Sequence, residues 1–174
     1  PNIATMAPDP TKPDNSLTFI KRKPELRECS QIKIIRLDGP IFYGAVDHIS
    51  DFFDQVREGN HKYCLILSEG VNFIGLSGAH WLYEEAERWK KRGGGLYLCN
   101  LKVIAQDVLI ASGYKAQIGE NHFFVAKQDA IAYIYTLIPD EACRNCERRV
   151  FRECRVKAAK VEQALQALQS TQKT

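Results

Sequence analysis

Three cysteines near the C-terminus have a spacing that can support chemistry. Cys143 and Cys146 are separated by two residues, and Cys154 follows them. Two thiolates at that spacing can chelate zinc, but a closed structural site needs four ligands, so Cys29 or a histidine would have to complete it. Neighbouring arginines would favour the thiolate form, which makes a redox pair the second interpretation. A purely structural role is the third.

A serine in a glycine-containing loop is the second candidate. The loop Gly75-Leu76-Ser77-Gly78 follows an apolar run typical of a buried strand and precedes a helical pattern. We expect Ser77 at or near the helix N-terminus, where free N–H groups and the helix dipole favour an anion, including a phosphate ester. One interpretation is therefore a regulatory, anion-contacting loop. The other is an N-cap serine that accepts hydrogen bonds from the first amides.

The remaining polar residues do not form a catalytic set. The run 90–95, Lys-Lys-Arg-Gly-Gly-Gly, has its glycines after a helix, whereas a phosphate-binding loop has them after a strand. The four histidines are scattered and none has a catalytic spacing to a cysteine or an aspartate. We predict that the protein is not an enzyme and needs no cofactor.

The composition describes one folded domain. The 174 residues are 45% hydrophobic and 26% charged, which is enough for a core. The net charge of +3 is too small to indicate nucleic acid. The apolar stretch 130–138 is too short for a membrane span, and no secretory signal opens the chain, so we expect a reducing compartment.

The tail after residue 139 is locally basic. Seven basic and four acidic residues lie between positions 140 and 160. Such a segment suits anionic lipid headgroups, although a solvated helix face with Glu–Arg pairs is the alternative. Nucleic-acid binding would need interleaved aromatic residues, and Phe151 alone does not supply them.

Apolar periodicity places the elements that position these residues. It predicts strands over 32–37, 41–45, 63–67, 96–99 and 123–125. It predicts helices over 46–56, 77–91, 103–112, 130–137 and 156–169, with Asp129 capping the fourth. Strands that alternate with helices indicate an α/β fold with a sheet that is at least partly parallel.

The chain divides into three segments by composition. Residues 1–16 contain four of the seven prolines and are predicted to be a linker that cannot pair in a central strand. Residues 17–139 form the domain, beginning with a short edge strand. Residues 140–174 are the cysteine-containing basic tail with an amphipathic helix, whose apolar stripe needs a partner in this domain or in another chain.

Two loops together resemble a known family. Residues 38–45 read Asp-Gly-Pro-Ile-Phe-Tyr-Gly-Ala, and residues 71–79 read Val-Asn-Phe-Ile-Gly-Leu-Ser-Gly-Ala. Each lies between a predicted strand and a predicted helix. Over roughly residues 25–156 this order resembles a STAS domain, especially the one at the cytoplasmic C-terminus of bacterial SulP-type sulfate and anion permeases.

The resemblance implies a fold and a role. It implies a mixed sheet of about four to six strands with packed helices, plus a C-terminal amphipathic helix. It also implies a non-catalytic regulatory or interaction domain on the cytoplasmic face of the inner membrane, excised from a longer transporter of sulfate, bicarbonate or a dicarboxylate. The implied partners are the membrane domain of that transporter, cytoplasmic proteins and a second copy of this domain.

The loop departs from the pattern of the family. Anti-sigma-factor antagonists, which share the STAS fold, read Asp-Ser-Ser-Gly, and a kinase phosphorylates the serine before the glycine. Ser77 matches that serine, but Gly75 replaces the aspartate and Leu76 the first serine. Permease domains commonly keep the aspartate as Asp-Leu-Ser-Gly. We therefore expect an interaction surface around the loop, with a free-standing phosphoswitch or a thiol redox or zinc module as the alternatives.

Overall fold

A computed structural model describes residues 1–171 of the chain. Its strands are β1 (Asn2–Pro8), β2 (Leu17–Phe19), β3 (Ile32–Asp38), β4 (Tyr63–Gly70), β5 (Gly95–Cys99) and β6 (Phe123–Phe124). They form one sheet in the order β2-β1-β3-β4-β5-β6. Strands β3 to β6 are parallel, whereas β1 is antiparallel to both neighbours. The predicted fold class, α/β with a mixed sheet, is confirmed.

Helices cover both faces of the sheet. They are α1 (Tyr43–Arg57), α2 (Leu76–Lys91), α3 (Val103–Ala111), α4 (Tyr114–Ile118), α5 (Lys127–Leu137), α6 (Asp140–Arg144) and α7 (Arg152–Thr171). Helices α1 to α4 bury one core cluster, and α5 buries a second cluster on the opposite face. Each face of the sheet therefore has its own core.

Strand β4 shows why the central strands are almost entirely apolar. Cys64 and Ile66 belong to the core under α1 to α4, while Tyr63 and Leu65 belong to the core under α5. Because successive side chains of a strand point to opposite faces, a strand covered on both sides has to be apolar at nearly every position.

The prediction of a linker over residues 1–16 is wrong for its first half. Residues 2–8 form β1, which lies inside the sheet between β2 and β3. Pro1 precedes the strand. Pro8 ends it and lies beyond Met6, the last residue that pairs with β3. Neither proline therefore interrupts the hydrogen bonds between β1 and β3. The apolar residues between them, including the buried Met6 and Ala7, form the strand. The edge strand predicted next is confirmed as β2.

The strand predicted over 41–45 is also wrong. Only Ile41 makes a bridge, to Ile74, and α1 begins at Tyr43. The reason is the helical spacing of Ala45, Ile49 and Phe53, which are all buried, so Ala45 belongs to the stripe that faces the sheet.

The C-terminal helix is confirmed and is longer than predicted. It starts at Arg152, just after Phe151, whose side chain is fully buried in the core under α5. Val161 and Leu165 on its apolar stripe stay about half exposed. Residues 172–174 of the predicted tail lie outside the described residues. Helix α5 begins earlier than predicted, with Ala126 rather than Asp129 at its N-cap.

Candidate functional site

Two loops at the carboxyl edge of the parallel strands are bonded to each other. The Ile41 N–H donates to the Phe73 carbonyl oxygen at 2.9 Å, and the Gly75 N–H donates to the Ile41 carbonyl oxygen at 2.8 Å. One loop follows β3 and the other follows the adjacent β4, so the sheet places them side by side. These bonds make the two loops one unit.

Gly78 allows α2 to lie directly on this unit. A Cβ atom at position 78 would be 2.3 Å from the Ile41 carbonyl oxygen, which is far closer than a real contact. The glycine after the serine is therefore required by packing. Its presence in the motif does not by itself indicate phosphate chemistry.

Ser77 lies in the first turn of α2 but does not cap it. Gly75 occupies the N-cap position with extended backbone and Leu76 is the first helical residue, so the N-cap interpretation of Ser77 is wrong. Ser77 is partly exposed. The first turn carries no acidic side chain. Anion contact at this serine stays a prediction.

Large apolar side chains are exposed on the two bonded loops and at the starts of the helices that follow them. Phe42, Tyr43, Phe73 and Leu76 are 45%, 84%, 52% and 73% exposed, and we call them the apolar patch. Gly75 lies between the two phenylalanines, since a Cβ atom there would be 3.7 Å from each of them. Exposed apolar clusters on a folded domain commonly mark contact surfaces.

The same edge of the sheet carries further exposed apolar residues. Val103 and Ile104 begin α3, which follows β5, and Val125 follows β6. The sequence analysis missed these residues and also Tyr43. A signal for them was present in the sequence. An apolar residue lies at the start of the segment that follows each parallel strand, a position at which the fold does not need a buried side chain.

The second candidate region is a cavity of about 520 Å³ against the start of α7. The structure brings together there all three predicted cysteines and the fourth one considered from the sequence: Cys29, Cys143, Cys146 and Cys154. Within residues 1–171, no group of three or more His, Cys, Asp or Glu side chains is arranged so that it could hold a metal ion.

Burial makes the thiols of Cys29, Cys143 and Cys154 harder to ionise. It raises the pKa of Cys29 to about 11, and it also raises the pKa of Cys143 and of Cys154. Lys157 opposes the change at Cys143 but does not reverse it. A reactive redox thiol needs a lowered pKa. The electrostatics therefore disfavour the redox interpretation of the tail.

The basic tail uses several of its cations within the protein. Arg148 donates to the Glu28 carbonyl oxygen at 3.0 Å, and Lys157 pairs with Asp140. Lipid contact by this segment stays a prediction. None of the helices between residues 1 and 171 combines the length and apolar character that crossing a membrane requires.

Comparisons with known proteins agree with this architecture. The family model of the STAS domain matches residues 23–130. The Bacillus subtilis protein YvdB, whose name assigns it to the sulfate transporters, is 24% identical over 98 residues, which is 56% of this chain and 18% of that protein.

Two solved structures share the fold. A sulfate transporter family protein from Wolinella succinogenes is 28% identical with a TM-score of 0.54, and the match covers 61% of this chain and 86% of that one. Murine Slc26a9, an anion transporter, is 17% identical with a TM-score of 0.66, over 78% of this chain and 22% of its own.

Proposed function

The chain belongs to the STAS domain family, and we propose that it is the cytoplasmic STAS domain of a SulP-type membrane transporter of sulfate-class anions. The support is the match to YvdB and the Wolinella protein, together with the small share, 18%, of YvdB that the chain covers. On this proposal the membrane-spanning part that moves the anion lies outside the chain.

The domain would act by binding rather than by catalysis. The observation that supports this most directly is the apolar patch, where four large side chains are exposed on two bonded loops and on the first residues of the helices that follow them. A rigid surface loses little conformational freedom when it docks, so burial of its apolar area translates efficiently into affinity. The proposed partner is the membrane domain of the same transporter, and the role is to regulate it.

The first experiment tests the parent protein. Cells that make this protein are fractionated and probed with an antibody raised against the domain. A band far heavier than 19.8 kDa in the membrane fraction is expected. A soluble band near 19.8 kDa would contradict the transporter assignment.

The second experiment tests the patch. Leu76→Ser removes an exposed leucine from it, and Ile110→Ser is the matched control on α3, where Ile110 is also exposed. Burying a leucine is worth roughly 1.5 kcal/mol, so Leu76→Ser should weaken binding to the membrane domain about tenfold. Sulfate uptake by the full transporter should change with Leu76→Ser alone. Equal effects of both variants would remove the patch from the proposal.

Phosphorylation of Ser77 is a second candidate regulation. The serine is partly exposed in the first turn of α2, where a phosphate would face the free amides of the helix. Incubation with cell extract and ATP, followed by mass spectrometry, should add one phosphate to the protein and none to Ser77→Ala. Absence of phosphate on the wild-type protein would end this candidate.

A further inference from the structure

A second cavity, separate from the one at the cysteines, lies where the tail meets the chain before β3. It has a volume of about 440 Å³ and is bordered by the end of β1, by the segment 23–27 and by residues that precede and begin α7. We call it the arginine cleft. The charged residues that line it are Asp9, Lys23, Glu25, Arg27, Arg148, Arg149 and Arg155.

Most of the positive charge in the arginine cleft is not compensated by the protein. The Asp9 carboxylate is already satisfied, because it pairs with Lys23 at 2.8 Å and accepts a hydrogen bond from the Thr11 hydroxyl at 2.6 Å. That pair leaves four arginines and Glu25 as the other charged groups of the lining. The ion pairs within residues 1–171 do not include Arg27, Arg148, Arg149 or Arg155. Guanidinium groups gathered in one cleft attract an anion.

The backbone is strained at one of these arginines. Arg149 has a left-handed conformation with a φ of 42°. The other residues in the described range with positive φ, apart from glycines, are Asp14 and Asn100, and short polar side chains of that kind tolerate it. An arginine in this conformation costs free energy, and such a cost is commonly retained where it serves a function. Here the chain turns so that Arg148 and Arg149, which are adjacent in sequence, line the same cleft.

Contacts on both sides of the turn fix its position. The Arg148 guanidinium donates to the Glu28 carbonyl oxygen at 3.0 Å and keeps further N–H donors for a ligand. Phe151 is fully buried in the core under α5. The Asn15 side chain accepts a hydrogen bond from the Arg152 N–H at 2.8 Å and so caps the start of α7. A cleft held in this way loses little conformational freedom when a ligand binds.

The lining also determines what kind of anion fits. Pro8, Leu26 and Val150 give the cleft apolar wall beside its arginines, so the ligand has an organic body as well as a charge. The planar fork of arginine binds phosphate oxygens in pairs. A phosphate monoester carries about two negative charges and three acceptor oxygens, which suits several arginines at once.

We propose that the arginine cleft binds the phosphate monoester group of a small organic molecule or of a lipid headgroup. Arg27, Arg148, Arg149 and Arg155 compensate the charge of the phosphate, and the apolar wall contacts the body to which it is attached. The site concerns this domain alone and does not depend on the transporter assignment.

Vesicles and a soluble ester test binding and identify its source. The 174-residue chain is mixed with phosphatidylcholine vesicles that contain either phosphatidic acid, a phosphate monoester, or phosphatidylglycerol, a phosphate diester, at equal surface charge. Glycerol 3-phosphate is titrated by calorimetry, with inorganic sulfate as the control anion. Preference for phosphatidic acid vesicles would support a lipid ligand. Binding of glycerol 3-phosphate in preference to sulfate would support a soluble one.

The most informative variant is Arg149→Gly. It removes the guanidinium but leaves a residue that accepts the left-handed backbone, so binding should weaken about tenfold while the melting temperature stays the same or rises. Arg155→Ala should weaken binding by a similar factor. Arg152→Ala is the matched control, because it changes the net charge equally while Arg152 lies outside the cleft and pairs with Asp14 at 3.8 Å on the surface. It should bind as the wild-type protein does.

Four outcomes would overturn the proposal. Absence of binding to every probe would exclude the site. Equal binding to both kinds of vesicle, without binding of glycerol 3-phosphate, would show a response to surface charge alone. Sulfate that binds as tightly as glycerol 3-phosphate would mean that the organic body contributes nothing. Equal losses for Arg152→Ala and Arg155→Ala would place the binding outside the cleft.

Discussion

The apolar patch and the cysteine cavity differ in where the fold points their side chains. At the patch, Tyr43 and Leu76 begin helices at the open edge of the sheet, so apolar groups face solvent. At the cavity, Cys29 and Cys154 are turned inward and burial raises their pKa values. An outward apolar cluster suits a docking surface, and an inward thiol cluster suits a structural one.

The two regions also differ in how far apart their residues are in sequence. The patch is built from two loops that follow neighbouring parallel strands, so the sheet alone assembles it. The cavity requires the C-terminal tail to return across the face covered by α5 and to insert Phe151 there. The cavity is therefore more sensitive to loss of tertiary packing than the patch is.

The largest expected effect is a loss of stability, and it is tested by comparing alanine substitutions at two phenylalanines. Phe151→Ala empties a fully buried site and should lower the free energy of unfolding by about 3–5 kcal/mol, measured by urea denaturation. Phe42→Ala, at a half-exposed position in the patch, should cost less than about 1 kcal/mol. Similar losses for both variants would mean that the patch is part of the core.

The next largest effect concerns Gly78, which lies in the first turn of α2. Gly78→Ala places a methyl group against the Ile41 carbonyl oxygen and should cost about 1–3 kcal/mol, despite the better helix propensity of alanine. Gly75→Ser is the matched control, because position 75 has ordinary space and serine suits an N-cap. A neutral Gly78→Ala would show that α2 can lift away from the loops.

Alkaline pH should lower the stability of the folded protein through the cavity rather than through the patch. The pKa of Cys29 is raised from 9.0 to about 11, so its thiol is protonated in both the folded and the unfolded chain below pH 9. Between pH 9 and 11 the unfolded chain ionises first, and stability falls by at most about 1.4 kcal/mol per pH unit. Cys29→Ala should show a shallower decline in thermal stability over that range. An unchanged slope would mean that Cys29 is exposed.

The smallest expected effect comes from restoring, at position 75, the aspartate that the family commonly has there. Gly75→Asp gives α2 an acidic N-cap, which should raise the free energy of unfolding by a few tenths of a kcal/mol. The measurement is a comparison of urea midpoints with Gly75→Asn, which caps without the charge. A clear loss of stability would show that the patch cannot accommodate the aspartate.

Much of the fold was predictable because its signals are local. The apolar runs of β3, β4 and β5 and the periodicity of α2 depend on neighbouring residues alone. Strand β1 was not predictable in this way, because prolines at its ends suggested a linker and only pairing with β2 and β3 gives it a structure. An N-cap role was one of two interpretations of Ser77, because serine is a common cap, but the helix begins one residue earlier, at Leu76, with Gly75 at the N-cap.

The sequence by itself determined the fold class, the family and the two candidate regions, which are the loop at Ser77 and the cysteines of the tail. All of these depend on residue types and short spacings. Only the tertiary structure decided which side chains around Ser77 are exposed and that Cys29 joins the tail cysteines. The physical reason is that exposure and long-range proximity depend on how the sheet and its covering helices pack, and no spacing within a single segment encodes them.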